Sequence, residues 1–306
     1  MLGDTLRILR PLPYLYAFYD GRMEGVRAWS PKPNWLDDGA FTLGITSYAV
    51  VDGDEALLFD THISTNHAQI IRQTLEAAGV RHIRVALSHW HNDHIAGNAV
   101  FSDCEIIAHQ LTAQAMAKHR DALERSNPPI KPLLEPTCRY EGILRLHVGR
   151  IAVELHHLEI HSHDGTVLFI PEDGTLLAGD TLEDPVTFLD PGEIARLPTH
   201  VANLERMLTW PIKRIYPSHG LPELIATSGH DTRLIDATIA YTRKLIACQH
   251  DNNLVDADLQ RFAHALFANG SAHYYAAYEP VHQSNLIALG CLPDPSGELP
   301  DHTQVK

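Results

Sequence analysis

The chain has 306 residues, 44% of them hydrophobic and 20% charged, enough apolar material for one large globular domain or one domain with an extension. Its formal net charge is −14, and a broadly acidic surface repels phosphate backbones, so no nucleic-acid partner is expected. No apolar run reaches the roughly 18 residues that a membrane span needs. Residues 1–10 lack a basic stretch followed by an apolar core, so no signal peptide is expected and a cytoplasmic location is the default. Cys104, Cys138, Cys248 and Cys291 show no CxxC spacing and read as buried free thiols rather than a disulfide framework.

Residues 11–36 are rich in Pro, Tyr and Trp. Pro11 and Pro13 bar a helix, and Tyr14, Tyr16 and Phe18 suggest an extended segment with one aromatic face. Core packing or a subunit contact, as in a homodimer, is the expected use of that face, and a substrate wall is the alternative. Residues 45–51 and 56–59 read as strands joined by the hairpin signal Asp52-Gly53-Asp54. The stripe Ala68, Ile71, Leu75 and Ala78 predicts a helix over 66–79 that stops at Gly79. A buried strand over 82–87, a strand over 105–108 and a helix over 112–125 complete one α/β half. Residues 126–137 contain four prolines and read as a stiff surface loop, or alternatively a lid.

Short strands follow over 142–148, 151–157, 166–170 and 175–178. A helix over 199–210, a strand over 213–216 and a helix over 231–249 form a second α/β half. Beyond residue 250 a further helix is expected over 256–269. The Tyr- and His-rich stretch 271–285 reads as core, subunit interface or cleft wall, and the last dozen residues as a frayed polar end.

The densest chemical signal is Ser88-His89-Trp90-His91-Asn92-Asp93-His94, placed where a strand ends and a helix begins. Open α/β sheets put their sites there. Residues two apart in an extended segment point the same way, so His89 and His91 can share a cation. Asp93 and His94 can serve a second cation or turn back to the first. Imidazole suits zinc, copper, iron and nickel, and carboxylate also admits manganese, with zinc the first expectation. A histidine-rich loop without function is the plain alternative in a chain with 21 histidines.

His-x-His-x-Asp-His after a strand resembles the signature of the metallo-β-lactamase superfamily. Matching stretches follow in order over residues 40–245: Ile160-His161-Ser162 before a strand, Gly179-Asp180-Thr181 after one, and Pro217-Ser218-His219-Gly220 after another. The resemblance implies an α/β fold of the four-layer αββα type over residues 1–250, with residues 251–306 a helical extension packed on it. It implies that His89, His91 and His161 hold one divalent ion, that Asp93, His94 and His219 hold another, and that Asp180 bridges them. Zn2+ is the expected metal, with Mn2+ or Fe2+ next. Asp93 would also orient or deprotonate a metal-activated water, and Asp60 would orient a ligand from behind. The pattern departs from the family at Ile160 and Ser218, where glycine is usual, at His62 after Asp60-Thr61, and by one additional residue before Gly165. His163 is the rival to His161.

The bridging aspartate implies a hydrolase of carboxylic esters, lactones or thioesters acting on a small molecule. Other readings within the family are a mononuclear iron persulfide dioxygenase, a β-lactamase, a phosphodiesterase resembling ribonuclease Z, and a non-catalytic metal binder. No GxSxG, Walker loop or Rossmann fingerprint offers a rival chemistry.

Overall fold

The structure, a computed structural model, describes residues 2–294. The expected frayed end falls outside the described residues, as does the last part of the 251–306 segment. Strands β1 (Arg7–Leu12), β2 (Leu15–Asp20), β3 (Ile45–Asp52), β4 (Glu55–Phe59), β5 (His82–Ala86), β6 (Glu105–His109) and β7 (Cys138–Tyr140) form a seven-stranded sheet in that order. Pairing is antiparallel from β1 to β4 and parallel from β4 to β7. Strands β8 (Ile143–Val148), β9 (Ile151–His157), β10 (Thr166–Ile170), β11 (Thr175–Gly179) and β12 (Arg214–Pro217) form the second sheet, in the order β12-β11-β10-β9-β8.

The two sheets stack on one apolar layer. Tyr19, Tyr48, Leu57 and Phe59 of the first meet Leu155, Leu168, Leu177 and Tyr216 of the second, and all are buried. Tyr48 Oη donates to Pro217 O across the layers at 2.6 Å. Helices α1 (Thr65–Ala77) and α3 (Gln110–Arg125) cover the outer face of the first sheet, contributing Ile71, Leu75, Met116 and Leu123. Helices α4 (Leu197–Met207) and α6 (Arg233–Cys248) cover the second, contributing Val201, Leu204, Ile235 and Ile239. The order of layers is αββα. Each buried Leu or Ile contributes roughly 1.5–3 kcal/mol, so both helices of a layer depend on their stripes rather than on helix propensity. The single turn α2 (Asn92–Ile95) follows β5 in the loop, and α5 (Pro222–Ile225) follows β12.

The extended aromatic segment expected near the start of the chain is part of a β-hairpin, β1 and β2, whose second strand is wholly buried. Tyr16 and Phe18 stack at 6.1 Å in the core under α1, so this aromatic face is packing and not a substrate wall. Residues 256–269 are not one helix. The short helices α7 (Leu259–Phe262) and α8 (His264–Ala268) break at Ala263, with φ −103° and ψ 18°. Helix α9 (Glu279–Ala288), with Pro280 in its first turn, overlaps the Tyr- and His-rich stretch and supplies Pro280 and Val281 to a cleft wall. Its buried Asn285 accepts from Leu189 N at 2.8 Å and donates to Thr187 O at 3.0 Å, tying α9 to the loop after β11. The four cysteines are free, but only Cys248 is buried. No helix among the described residues is long and apolar enough to cross a membrane.

Gly97 lets the turn after α2 close against α1. A Cβ there would lie 2.1 Å from the backbone Thr61 O, in the buried loop after β4, and 2.5 Å from Ala68 Cβ on α1. Gly97→Ala is expected to cost about 2 kcal/mol through overpacking, read as a lower urea midpoint at unchanged slope.

Candidate metal centre

Strand ends deliver all seven sequence-derived residues to one place. His89 and His91 follow β5, and Asp93 and His94 sit on α2, whose helical turn swings both side chains back toward the same cavity. His161 precedes β10 in a left-handed conformation with φ 64°, which answers the absence of the usual glycine beside it. Asp180 follows β11 and His219 follows β12. All seven residues are at most 8% exposed.

Donor atoms of His89, His91 and His161 lie within 4.8 Å of one another, and so do those of Asp93, His94, Asp180 and His219. His91 Nδ1 is 2.9 Å from His89 Nε2 and 3.0 Å from His161 Nε2. Asp180 Oδ2 stands between the groups, 3.7 Å from His89 Nε2, 3.6 Å from His161 Nε2, 3.2 Å from His94 Nε2 and 3.3 Å from His219 Nε2. Asp93 Oδ2 is 3.2 Å from His219 Nε2. The other ring nitrogens are held from behind. His94 Nδ1 meets Asp60 Oδ2 at 2.8 Å, His219 Nδ1 meets Gly44 O at 2.6 Å, and His161 Nδ1 meets Phe188 O at 3.1 Å. These partners set the tautomers that leave Nε2 facing the cavity.

The electrostatics fit a cation in each group. Burial pushes His89 and His91 toward the neutral form and lowers His161 to about 4, which leaves their lone pairs free. Three imidazoles that burial keeps neutral turn ring nitrogens toward one point, a donor set that suits a cation. In the second group burial also favours neutral imidazole, but Asp180 outweighs it and raises His94 and His219. Burial raises the Asp93 and Asp180 carboxyls too, and His94 and His219 outweigh it, holding both below the usual range. Buried Asp180 Oδ1 has no hydrogen-bond partner among the described residues. A divalent ion would displace the protons shared here and engage such an oxygen.

Asp60, with φ 67°, holds His94 and accepts from Ser88 N at 2.7 Å. His163 points elsewhere, to Glu193 Oε1 at 3.1 Å. His62 is fully buried and stacks on His67 at 4.5 Å, away from the centre.

Glu183 was not foreseen. It is buried, accepts from Phe188 N and Tyr278 Oη at 3.1 Å each, and lies 3.5 Å from His161 Nδ1. Burial, reinforced by Asp180, lifts its carboxyl to about 8. The available signal was an acidic pair, Glu183-Asp184, soon after Asp180 at a buried strand end. The backbone oxygens of Gly44 and Phe188 carry no sequence signal.

A cavity of about 640 Å³ opens over the centre, with His91, Asp93, His161, Asp180 and His219 in its lining. Trp35, Leu43, Phe188, Ala276, Pro280 and Val281 line its walls, and among the described residues neither Lys nor Arg does. Residues 126–137 contribute nothing to this lining, so the lid reading is corrected. The loop instead buttresses the wall, since Trp35 Nε1 donates to Pro128 O at 2.7 Å.

The family model described as Metallo-beta-lactamase superfamily matches residues 41–219. The chain belongs to the metallo-β-lactamase superfamily. Within it, the chain is 30% identical over 192 residues to the lactamase-like protein ptaB of Pestalotiopsis fici, covering 61% of this chain and 55% of that protein. It is 28% identical over 184 residues to the atrochrysone carboxyl ACP thioesterase nsrC of Aspergillus novofumigatus, covering 60% and 51%. The chain thus spans about half the length of the curated relatives it matches. Among solved structures it resembles the DIM-1 metallo-beta-lactamase, with a TM-score of 0.59 at 16% identity over 78% of this chain and 97% of that one. A metallo-beta-lactamase from Pontibacter korlensis gives 0.58 at 15% identity over 78% and 99%. At such identity these structures speak for the superfamily's fold alone.

Asp60→Asn keeps the shape but removes the charge behind His94. Metal affinity is expected to fall about 10–100-fold, read by chelator competition. Unchanged affinity in the variant would remove Asp60 from this role.

Proposed function

We propose that the protein is a dinuclear metal-dependent hydrolase of neutral carboxylic esters, thioesters or lactones. The observation that carries this reading is Asp180 Oδ2, placed within 3.7 Å of donor atoms from both groups. His89, His91 and His161 would hold one ion, Asp93, His94 and His219 the other, and Asp180 would bridge. Zn2+ suits this set best, with Mn2+ or Fe2+ as substitutes. When bound, such a pair supplies Lewis acidity and brings the pKa of water down to about 7.

The chain's own residues then have distinct tasks. Asp93 presents a carboxylate at the cavity floor that can accept a proton from the attacking water and return it to the leaving group. Trp35, Leu43, Phe188 and Val281 wall off water and give an acyl chain or an aromatic ring an apolar resting place. Glu183 steadies Phe188 through its backbone N–H and so shapes that wall.

The cavity's charge narrows the substrate class. Among the described residues no Lys or Arg lines it to receive a carboxylate or a phosphate, and its acidic groups add little charge, since Asp38 pairs with Arg27 and burial lifts the Glu183 carboxyl to about 8. That favours neutral acyl groups over β-lactams and phosphodiesters. The thioesterase named among the relatives agrees with an acyl thioester substrate.

A panel of aryl esters, acyl-N-acetylcysteamine thioesters, lactones, a chromogenic cephalosporin and a phosphodiester, run with zinc-, manganese- and iron-loaded protein, tests the reading. Turnover is expected on the neutral acyl substrates, with Asp93→Asn lowering kcat about 10²–10⁴-fold. Turnover confined to the cephalosporin or the phosphodiester would overturn the substrate class. Active protein with well under two ions per chain would overturn the dinuclear reading.

A further inference from the structure

A second convergence of metal-capable side chains shares no residue with the seven. Asp184, His230 and His273 place one donor atom each within 4.8 Å of the others. They come from three distant segments. Asp184 lies in the loop after β11, His230 pairs its backbone with Ile215 of β12, and His273 lies between α8 and α9. The group is next to the centre without being part of it, since Asp184 N donates to His219 O at 3.0 Å.

Asp184 is 1% exposed and His230 4%, while the His273 side chain is 39% exposed. Asp184 Oδ2 lies 2.8 Å from His273 Nδ1, and Oδ1 accepts from His273 N at 2.6 Å. Hydrogen bonding explains that pair. It does not explain His230, whose Nδ1 stands 3.8 Å from the same Oδ2, beyond hydrogen-bond reach. The opposite nitrogen, Nε2, is buried without a partner among the described residues. A Cβ on Gly220 would come within 3.3 Å of it, so the turn that carries His219 crowds that edge of the ring.

A nearly buried imidazole with no hydrogen bond to Asp184, and a carboxylate oxygen 3.8 Å off its Nδ1, is poorly accounted for by hydrogen bonding. Ligands about 2.0–2.2 Å from one tetrahedral ion stand roughly 3.3–3.6 Å apart, and the observed 2.8 and 3.8 Å bracket that spacing. Burial lowers His230 to about 4, which leaves the ring neutral at pH 7. A cavity of about 260 Å³ has both His230 and His273 in its lining and leaves room for water as a fourth ligand. The nearby cations are engaged elsewhere. Arg233 pairs with Asp231 at 2.7 Å, and Arg22 donates to the carbonyls of Leu43 and Asp184 at 2.8 Å each.

We propose that Asp184, His230 and His273 form a further, structural site for a divalent ion of the zinc type. It clamps the loop after Asp180 and the turn after His219 to the C-terminal segment. That segment supplies Ala276 and Val281 to the wall of the large cavity, so the ion would hold the wall against the catalytic floor.

Zinc per chain, measured by mass spectrometry after dialysis of the full-length protein, tests this. His273→Gln keeps a hydrogen-bond donor for Asp184 but offers no imidazole nitrogen, and at an exposed position it does not threaten folding. His273→Gln and His230→Ala are each expected to retain about one zinc fewer than wild type. In a His89→Ala/His91→Ala/His94→Ala/His219→Ala background, which removes ligands from both groups of the centre, added Zn2+ should still raise the melting temperature, and should cease to do so once His273→Gln is added. Zinc content equal to wild type in folded His273→Gln would show that the cluster is only a hydrogen-bonded tie and would overturn the proposal. That background, stripped of ligands from both groups, separates this outcome from a failure of the dinuclear reading.

Discussion

Buried charge without enough protons to match it is the condition around which this molecule is built. Asp60, Asp93 and Asp180 are each at most 8% exposed, and desolvating a carboxylate costs several kcal/mol. Their partners are imidazoles, which lose their own charge on burial. His94 and His219 compensate part of this by taking up protons, while His89, His91 and His161 remain neutral and point lone pairs at each other. A bound cation would balance both halves at once. The fold must hold the arrangement in place, and it does so with strand ends and backbone acceptors such as Gly44 O and Phe188 O rather than with mobile loops.

The centre straddles the two sheets. His89 to His94 follow a strand of the first, and His161, Asp180 and His219 flank strands of the second. The apolar layer between the sheets and the Tyr48–Pro217 bond therefore set the distance between the two halves of the ligand set. Packing that looks remote from the chemistry fixes its geometry, because a shift of one sheet over the other would separate Asp180 from His94.

The sequence was most legible where chemistry and periodicity coincide. His89, His91, Asp93 and His94 sit in one stretch behind a clear apolar strand, and the stripes of α1, α3, α4 and α6 stand out by their spacing. Asp60 was legible through its place at the end of β4. What stayed hidden is tertiary in origin. The extended aromatic segment was legible, but not that it lies between β1 and β3, because nothing in its composition encodes its partners. The break at Ala263 has no glycine or proline to announce it. Glu183 matters only because Phe188, Tyr278 and His161 come to surround it, and nothing in its neighbourhood along the chain encodes that. His230 and His273 stand 43 positions apart and meet through Asp184 only once the C-terminal segment has docked.

The stretch that matches the superfamily, residues 41–219, contains all seven residues of the centre. Pro33, Trp35, Ala276, Pro280 and Val281, which shape the space above it, lie before and after that stretch. The ligand set thus lies wholly inside the matched stretch, while the walls above it are shared between that stretch, through Leu43 and Phe188, and its flanks. Exchanging the flanks between distant cousins would redirect such a catalyst while leaving its bond-breaking apparatus intact, and cousins that share only the middle are poor guides to one another's natural substrates.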